Sequence, residues 1–317
     1  MILNILLLIA GFLLLIKGAD FFIDGASSTA NNFKVSKTLI GLTIIAFGTS
    51  APEFAISIQS LSMGSTDMLF GNVIGSNIIN ILLILGIAAL IHPIKIEENT
   101  IKKELPLCML ISVLLVVLFL DIKLANGVMN QITRADAFII LLFFTIFLYY
   151  LITLTKEKKK EKDIEKPKYK LIVSLLLVVG GLLGIIFGSN LVVNNASAIA
   201  SKIGLSDRII ALTVVALGTS LPELVTTIVA SKKKEQNLLL GNIIGSNIFN
   251  ACVVLGIPIA LYGTVTPTSF SYIDLIVLIF SSFLLFIFAN SKKTITRIEG
   301  LFMVIAFFIY YSLVFII

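Results

Sequence analysis

Long apolar runs separated by short charged stretches divide the chain into ten segments, at about 2–26, 37–60, 68–91, 104–120, 134–155, 170–195, 207–230, 238–262, 271–290 and 296–316. Each is compatible with the ~20 residues that a helix needs to cross a bilayer. The pattern predicts an all-α membrane protein with ten transmembrane helices. Polar residues break the apolar pattern most sharply in the second and seventh segments. The second carries Ala46-Phe47-Gly48-Thr49-Ser50-Ala51-Pro52-Glu53-Phe54, and the seventh carries Ala216-Leu217-Gly218-Thr219-Ser220-Leu221-Pro222-Glu223-Leu224. Proline has no N–H and collides with the carbonyl four residues back, so helices 2 and 7 are expected to be broken, leaving the Gly48 and Gly218 carbonyls free. A break inside a membrane is tolerated only where its backbone is buried in protein or lines a watery cavity. Free carbonyls, the hydroxyls of Thr49, Ser50, Thr219 and Ser220, and the carboxylates of Glu53 and Glu223 are the oxygen ligands that hard cations such as Ca²⁺ require.

The two polar stretches belong to an internal repeat. Gly48 and Gly218 stand 170 positions apart, as do Gly71 and Gly241, and Gly18-Ala19-Asp20 is answered by Gly188-Ser189-Asn190. The chain thus divides into a first five-helix repeat (1–155), a charged linker (156–169) and a second five-helix repeat (170–317). Five is odd, so the second repeat enters the membrane from the opposite side. Such an inverted repeat predicts an ion site at the midplane, where the broken helices of the two halves meet. A second pair of motifs supplies more oxygen: Gly71-Asn72-Val73-Ile74-Gly75-Ser76-Asn77-Ile78-Ile79-Asn80 matches Gly241-Asn242-Ile243-Ile244-Gly245-Ser246-Asn247-Ile248-Phe249-Asn250. On a helix Ser76 and Asn80 share a face, as do Ser246 and Asn250, and Thr49 with Glu53. Asn72, Asn77, Asn242 and Asn247 lie off that stripe and read as interhelical hydrogen-bonding groups. In the sixth segment Gly180, Gly184 and Gly188 are spaced to give one close-packing face.

Composition agrees: of 317 residues 58% are hydrophobic and 13% charged, and the mean hydropathy is +1.07, values that exclude a soluble domain. The basic balance does not imply nucleic acid, because lysines and arginines fall between the apolar runs. With the 156–169 loop in the cytoplasm, Lys34, Lys37, Lys95, Lys102, Lys103, Lys232, Lys233, Lys234, Lys292, Lys293 and Arg297 are also inside. Only Lys123, Arg134, Lys202 and Arg208 are outside. Both termini then face outward from a multi-pass protein of the cell membrane. Cys108 and Cys252 lie in apolar segments and form no disulfide framework; His92 reads as an interfacial residue. Met1 to Ile16 lacks a basic start and a cleavage site, and reads as part of the first helix. Lys17, Asp20 and Asp24 read as a local ion pair or as side chains reaching the interface.

These motifs resemble those of the cation/calcium exchangers, specifically the prokaryotic sodium/calcium antiporters. The resemblance covers almost the whole chain through its two Gly-Thr-Ser-x-Pro-Glu and two Gly-Asn-x-Ile-Gly-Ser-Asn signatures. It implies a secondary active antiporter that exchanges Ca²⁺ for Na⁺ by alternating access, with Glu53 and Glu223 binding the two ions in turn. It further implies ligands from Ala46, Thr49, Ser50, Ser76 and Asn80 in the first half, and from Ala216, Thr219, Ser220, Ser246 and Asn250 in the second. The alanines would serve through main-chain carbonyls. It also implies that the first and sixth helices slide against the rest. Asn250 departs from relatives, including potassium-dependent ones, that place Asp there. Two carboxylates balance one Ca²⁺, whereas three Na⁺ leave the site one charge positive, a costly state in a membrane. The alternative is a calcium/proton or other cation/proton antiporter using the same two glutamates. A channel suits the paired broken helices less well, and no pair of intramembrane Asp suggests a protease. Neither enzyme chemistry, a cofactor, nor an obligate protein partner is implied; the partners are the two ions and the lipid bilayer.

Overall fold

Helices account for nearly all the described chain, as apolar sequence requires, because a helix pairs its own backbone N–H and C=O groups where no water can. A computed structural model describes residues 1–124, 129–156, 166–204, 216–267 and 271–316. The first half contains α1 (Ile2–Phe33), α2 (Lys37–Ile40), the π-helical turn π1 (Gly41–Ile45), α3 (Ala46–Thr49), α4 (Ala51–Ser62), α5 (Thr66–Ile78), π2 (Ile79–Leu85), α6 (Gly86–Ile91), π3 (Thr100–Glu104), α7 (Leu105–Leu118), α8 (Asp121–Leu124) and α9 (Arg134–Lys156). The second contains α10 (Leu171–Lys202), α11 (Ala216–Thr219), α12 (Leu221–Lys232), α13 (Gln236–Phe249), π4 (Asn250–Val254), α14 (Leu255–Tyr262), α15 (Tyr272–Lys292) and α16 (Arg297–Ile316).

Seven of the described helices are long and apolar enough to cross a membrane, and an eighth span forms if Lys37–Thr49 and Ala51–Ser62, bent by 44°, count as one. The protein is thus an all-α, multi-pass membrane protein. Segment 104–120 corresponds to π3 and the 14-residue α7. Of segment 207–230, residues 207–215 lie outside the described residues and the rest forms α11 and α12. Linker residues 157–165 also lie outside them.

The described chain forms two compact units, and each takes residues from both sequence halves. The first comprises Met1–Pro52 and the described part of Glu157–Asn242; the second comprises Glu53–Lys156 and Ile243–Ile317.

In the first unit, α1 and α10 run antiparallel along a glycine seam. A Cβ on Gly18 would lie 2.8 Å from the Ile185 nitrogen, and one on Gly181 would lie 2.5 Å from the Phe22 nitrogen. Gly11 meets Leu191 and Val192, and Gly25 meets Ser174 and Val178, in equally close approach. The sequence expectation of a Gly180, Gly184 and Gly188 face is corrected here. A Cβ on Gly180 would meet nothing within 4 Å, and Gly181 takes its place beside Gly184 and Gly188. Steps of four drift steadily around a helix, whereas a seven-residue step nearly returns to the same face.

Asp20 and Asp24 are also corrected: their partners are distant in sequence. Lys233 Nζ lies 2.7 Å from Asp24 Oδ1 and 3.4 Å from Asp20 Oδ1, while Lys168 Nζ lies 2.7 Å from Asp24 Oδ2. Asp24 accordingly draws the Lys168 ammonium pKa above its ordinary value. Lys37 Nζ is 3.0 Å from Glu235, which also accepts from Ser27 Oγ at 2.8 Å.

In the second unit, a short antiparallel pair joins β1 (Ile94–Lys95) to β2 (Thr294–Ile295), with Ile94 opposite Ile295. Two contacts link positions 170 apart. Asn77 Nδ2 donates to the Asn247 carbonyl at 3.2 Å and Asn247 Nδ2 returns to the Asn77 carbonyl at 3.3 Å, while the Ser112 and Ser282 hydroxyls meet at 3.0 Å. Reciprocal bonds of this kind arise where equivalent positions of two repeats face each other. Cys108 and Cys252 are both buried free thiols.

Candidate cation site

The two proline motifs adopt matching backbone geometry. Ser50 has φ −84° and ψ 6°, and Ser220 has φ −88° and ψ 7°, the sparsely populated bridge region that active-site residues often occupy. After each break a new helix begins with x-Pro-Glu: α4 at Ala51 and α12 at Leu221. Proline fits here because the first turn of a helix leaves N–H groups unpaired in any case. The same residue therefore ends one half-helix and starts the next. Glu53 and Glu223 consequently sit in the first turn of their helices, where the positive end of the helix dipole favours a carboxylate.

The expectation of a free carbonyl at Gly218 is corrected. Its oxygen accepts a hydrogen bond from Ser189 Oγ at 3.1 Å. A buried acceptor without a donor is costly, and the hydroxyl of α10 meets that need. The equivalent residue of the first repeat is Ala19, which has no hydroxyl.

Six predicted ligands are gathered within the first unit. Thr49, Ser50, Ser220 and Glu223 are almost completely buried, and Ala46 has no exposed surface; Thr219 is half-buried. Ser50 Oγ donates to Glu223 Oε1 at 3.1 Å, so a hydroxyl of the first repeat contacts the carboxylate of the second. Thr49 Oγ1 lies 3.1 Å from Asn242 Oδ1 and within 3.3 Å of the Ala46 carbonyl. Asn242 Nδ2 in turn reaches the hydroxyls of Thr226 and Thr227 at 3.4 Å. Gly241 opens the second signature because backbones approach closely there: a Cβ would lie 2.7 Å from the Thr38 carbonyl. Ala216 is the first residue of α11, next to residues outside the described range.

In the second unit, Glu53, Ser76, Asn80, Ser246 and Asn250 are all buried, Glu53, Asn80, Ser246 and Asn250 completely. Asn72 Nδ2 donates to the Glu53 carbonyl at 2.9 Å and to Ser57 Oγ at 3.0 Å, fixing the start of α4. Asn80 Nδ2 donates to Asn247 Oδ1 at 3.0 Å. Among the described residues, Asn80 Oδ1 and both amide atoms of Asn250 are buried without a hydrogen-bond partner. Native interiors rarely leave such atoms unmatched, and an amide oxygen is an ordinary ligand for a hard cation. Among the described residues no group of three or more His, Cys, Asp or Glu stands together. The charge here comes from single carboxylates among neutral oxygens.

Two features escape a reading of the sequence. Asn80 lies in π2 and Asn250 opens π4, so both fall where the helix widens to i→i+5 bonding, a distortion frequent at functional sites. Nothing in the surrounding apolar residues announces it. The role of Ser189 did have a signal, since Gly188-Ser189-Asn190 repeats Gly18-Ala19-Asp20 with a hydroxyl added.

The sodium/calcium exchanger protein family matches residues 3–153 and 173–316. The chain is 37% identical to the putative antiporter CaxA of Alkalimonas amylolytica, covering 99% of each protein. It is 30% identical to the sodium/calcium exchanger MaX1 of Methanosarcina acetivorans, covering 94% of each. Among solved structures, the sodium-calcium exchanger NCX_Mj is 32% identical, with a TM-score of 0.86 and 98% of each chain covered. With both halves matched and full-length relatives at these identities, the chain belongs to the sodium/calcium exchanger family.

Proposed function

We propose that the protein is a secondary active antiporter that exchanges Ca²⁺ for Na⁺ by alternating access, using ligands from both of its inverted repeats. The observation that carries the reading is the placement of Glu53 and Glu223. Each is completely buried, and each opens a half-helix after a serine in the same bridge conformation. Family membership supports the ion pair, and the oxygen-only surroundings support hard cations. Glu53 and Glu223 supply the charge. Thr49, Ser50, Thr219, Ser220, Ser76 and Ser246 supply hydroxyls, Asn80 and Asn250 supply amide oxygens, and Ala46 and Ala216 supply main-chain carbonyls. Two carboxylates with neutral oxygens hold one divalent ion or several monovalent ones, but not both sets, so Na⁺ and Ca²⁺ compete. An empty site leaves two carboxylates unbalanced, which opposes movement without cargo and enforces exchange over leak. The protein lies in the cell membrane with both termini outside and the 156–169 loop in the cytoplasm.

A calcium/proton exchanger is the second reading. Complete burial of both carboxylates favours it, since either protons or Na⁺ can offset their charge when Ca²⁺ leaves. Reconstitution into Na⁺-loaded vesicles separates the two. Uptake of ⁴⁵Ca²⁺ is expected to require the outward Na⁺ gradient and to disappear in Glu53→Gln and in Glu223→Gln. Uptake that follows a pH gradient and ignores Na⁺ assigns the protein to the second reading. Full activity in both variants refutes the assigned ligands.

A further inference from the structure

Three helices end in the same backbone turn, and a fourth shares its first hydrogen bond. After α1, the Lys34 and Val35 N–H groups return to the Asn31 and Ala30 carbonyls at 3.3 and 3.0 Å. After α4, Gly64 and Ser65 return to Leu61 and Ser60 at 3.0 and 2.8 Å. Lys234 and Glu235 do the same after α12, to Ser231 and Ala230 at 3.0 and 2.9 Å, and the Gly204 N–H returns to Ser201 at 3.1 Å after α10. Such a turn needs one residue in the left-handed region, usually glycine. Gly64 and Gly204 take φ values of 74° and 91°, whereas Lys34 and Lys234 take 57° and 59°. The positions are related by the repeat: Lys34 corresponds to Gly204, and Gly64 to Lys234, each 170 residues away. In the topology proposed above, on which this inference rests, the lysine of each pair stands on the cytoplasmic side, which carries the excess of basic residues.

Lysine is a poor choice for this conformation. Asparagine and aspartate are the commoner substitutes for glycine, and a Cβ adds conformational strain. Packing does not explain the choice either. Among the described residues a Cβ on Gly64 or Gly204 would meet nothing within 4 Å, so the space around each glycine does not exclude a side chain. Lys34 and Lys234 are exposed, and among the described residues neither side chain has a hydrogen-bonding or ion-pair partner. Lys293, the third non-glycine residue in this region among the described residues, at φ 50°, differs, because its ammonium lies 3.3 Å from Glu98. For Lys34 and Lys234 only the charge itself remains, held on a flexible stem at the end of a helix that leaves the membrane.

We propose that Lys34 and Lys234 anchor anionic phospholipid headgroups and are retained, despite the strain, for that contact. A lysine stem at a helix end reaches the headgroup layer, and the negative cytoplasmic leaflet attracts basic residues just outside a membrane helix. The outer ends have no such attraction to gain, and glycine fills the same turn there.

Thermal unfolding of the full chain tests this in neutral detergent with phosphatidylcholine, into which phosphatidylglycerol is titrated. The Lys34→Gly/Lys234→Gly double variant is expected to melt above the wild type without phosphatidylglycerol, because strain is relieved. The greater freedom of glycine in the unfolded chain offsets only part of that gain. The variant should then gain less than the wild type from phosphatidylglycerol, while Lys34→Arg/Lys234→Arg keeps the wild-type gain. Gly64→Ala calibrates the strain and should lower the melting temperature without changing the lipid response. A phosphatidylglycerol gain of wild-type size in the glycine variant overturns the proposal. So does a lower melting temperature for that variant in phosphatidylcholine alone, or an unchanged one for Gly64→Ala. Inorganic phosphate should not reproduce the gain; an equal response to it overturns the assignment to lipid.

Discussion

Ser189 places one hydroxyl 3.1 Å from the Gly218 carbonyl, beside the break in the seventh segment. Pro222 denies that carbonyl its helical partner, and burial denies it water. Ser189→Ala is therefore expected to destabilise the protein by about 1–3 kcal/mol, the cost of leaving a buried acceptor without a donor. The measurement is the melting temperature in detergent, with Ser189→Thr as the variant that keeps the hydroxyl. An unchanged melting temperature in Ser189→Ala would show that another donor takes over. At this scale the burial of Glu53 and Glu223 was legible in the sequence, because both lie inside apolar runs. Ser189 was less legible: serine in a membrane helix is common, and its significance depends on a carbonyl freed 29 positions away. The long-range pairing of Asp20 and Asp24 was hidden for the same reason. Charge alone does not name a partner, and Lys233 lies 209 positions from Asp24.

At the scale of elements, proline and glycine determine where backbones break and where they touch. The proline breaks could be read from sequence because the steric rule is local. The π-helical turns at Asn80 and Asn250 could not, because an i→i+5 bond leaves no mark on an apolar run. The glycine seam is half legible: closely spaced glycines mark α10, but the register against α1 decides which face they line. That register yields a paired prediction. Gly181→Ala puts a methyl group where the Phe22 backbone nitrogen would be 2.5 Å away, so α1 and α10 must separate. Loss of most transport and a clear fall in melting temperature are expected. Gly180→Ala, one residue earlier with nothing within 4 Å, should leave both unchanged and serves as the control. Equal effects of the two substitutions would refute the seam.

At the scale of the whole molecule, the sequence halves and the compact units divide the chain differently. The halves meet at the linker, but the first unit needs α1 and α2 from one half and α10 to α12 from the other. The seam of α1 on α10 and the Ser50 bond to Glu223 both cross between halves within that unit. In the second unit, the reciprocal Asn77 and Asn247 bonds and the Ser112 to Ser282 contact cross between halves as well. Neither half alone can complete either unit, although each half carries a full set of motifs and would look self-sufficient by sequence. The chain is therefore expected to tolerate a cut in the linker but not the loss of a half. Residues 1–155 and 170–317, expressed separately, should each be degraded or aggregate. Expressed together, they should copurify and recover Na⁺-dependent ⁴⁵Ca²⁺ uptake in vesicles. Gly181→Ala in the second piece should then weaken copurification, because the seam is one of the surfaces that hold the pieces together. If residues 1–155 formed a stable, monodisperse protein alone, the halves would be independent folding units, and the building of each unit from both halves would have to be abandoned as the basis of the fold.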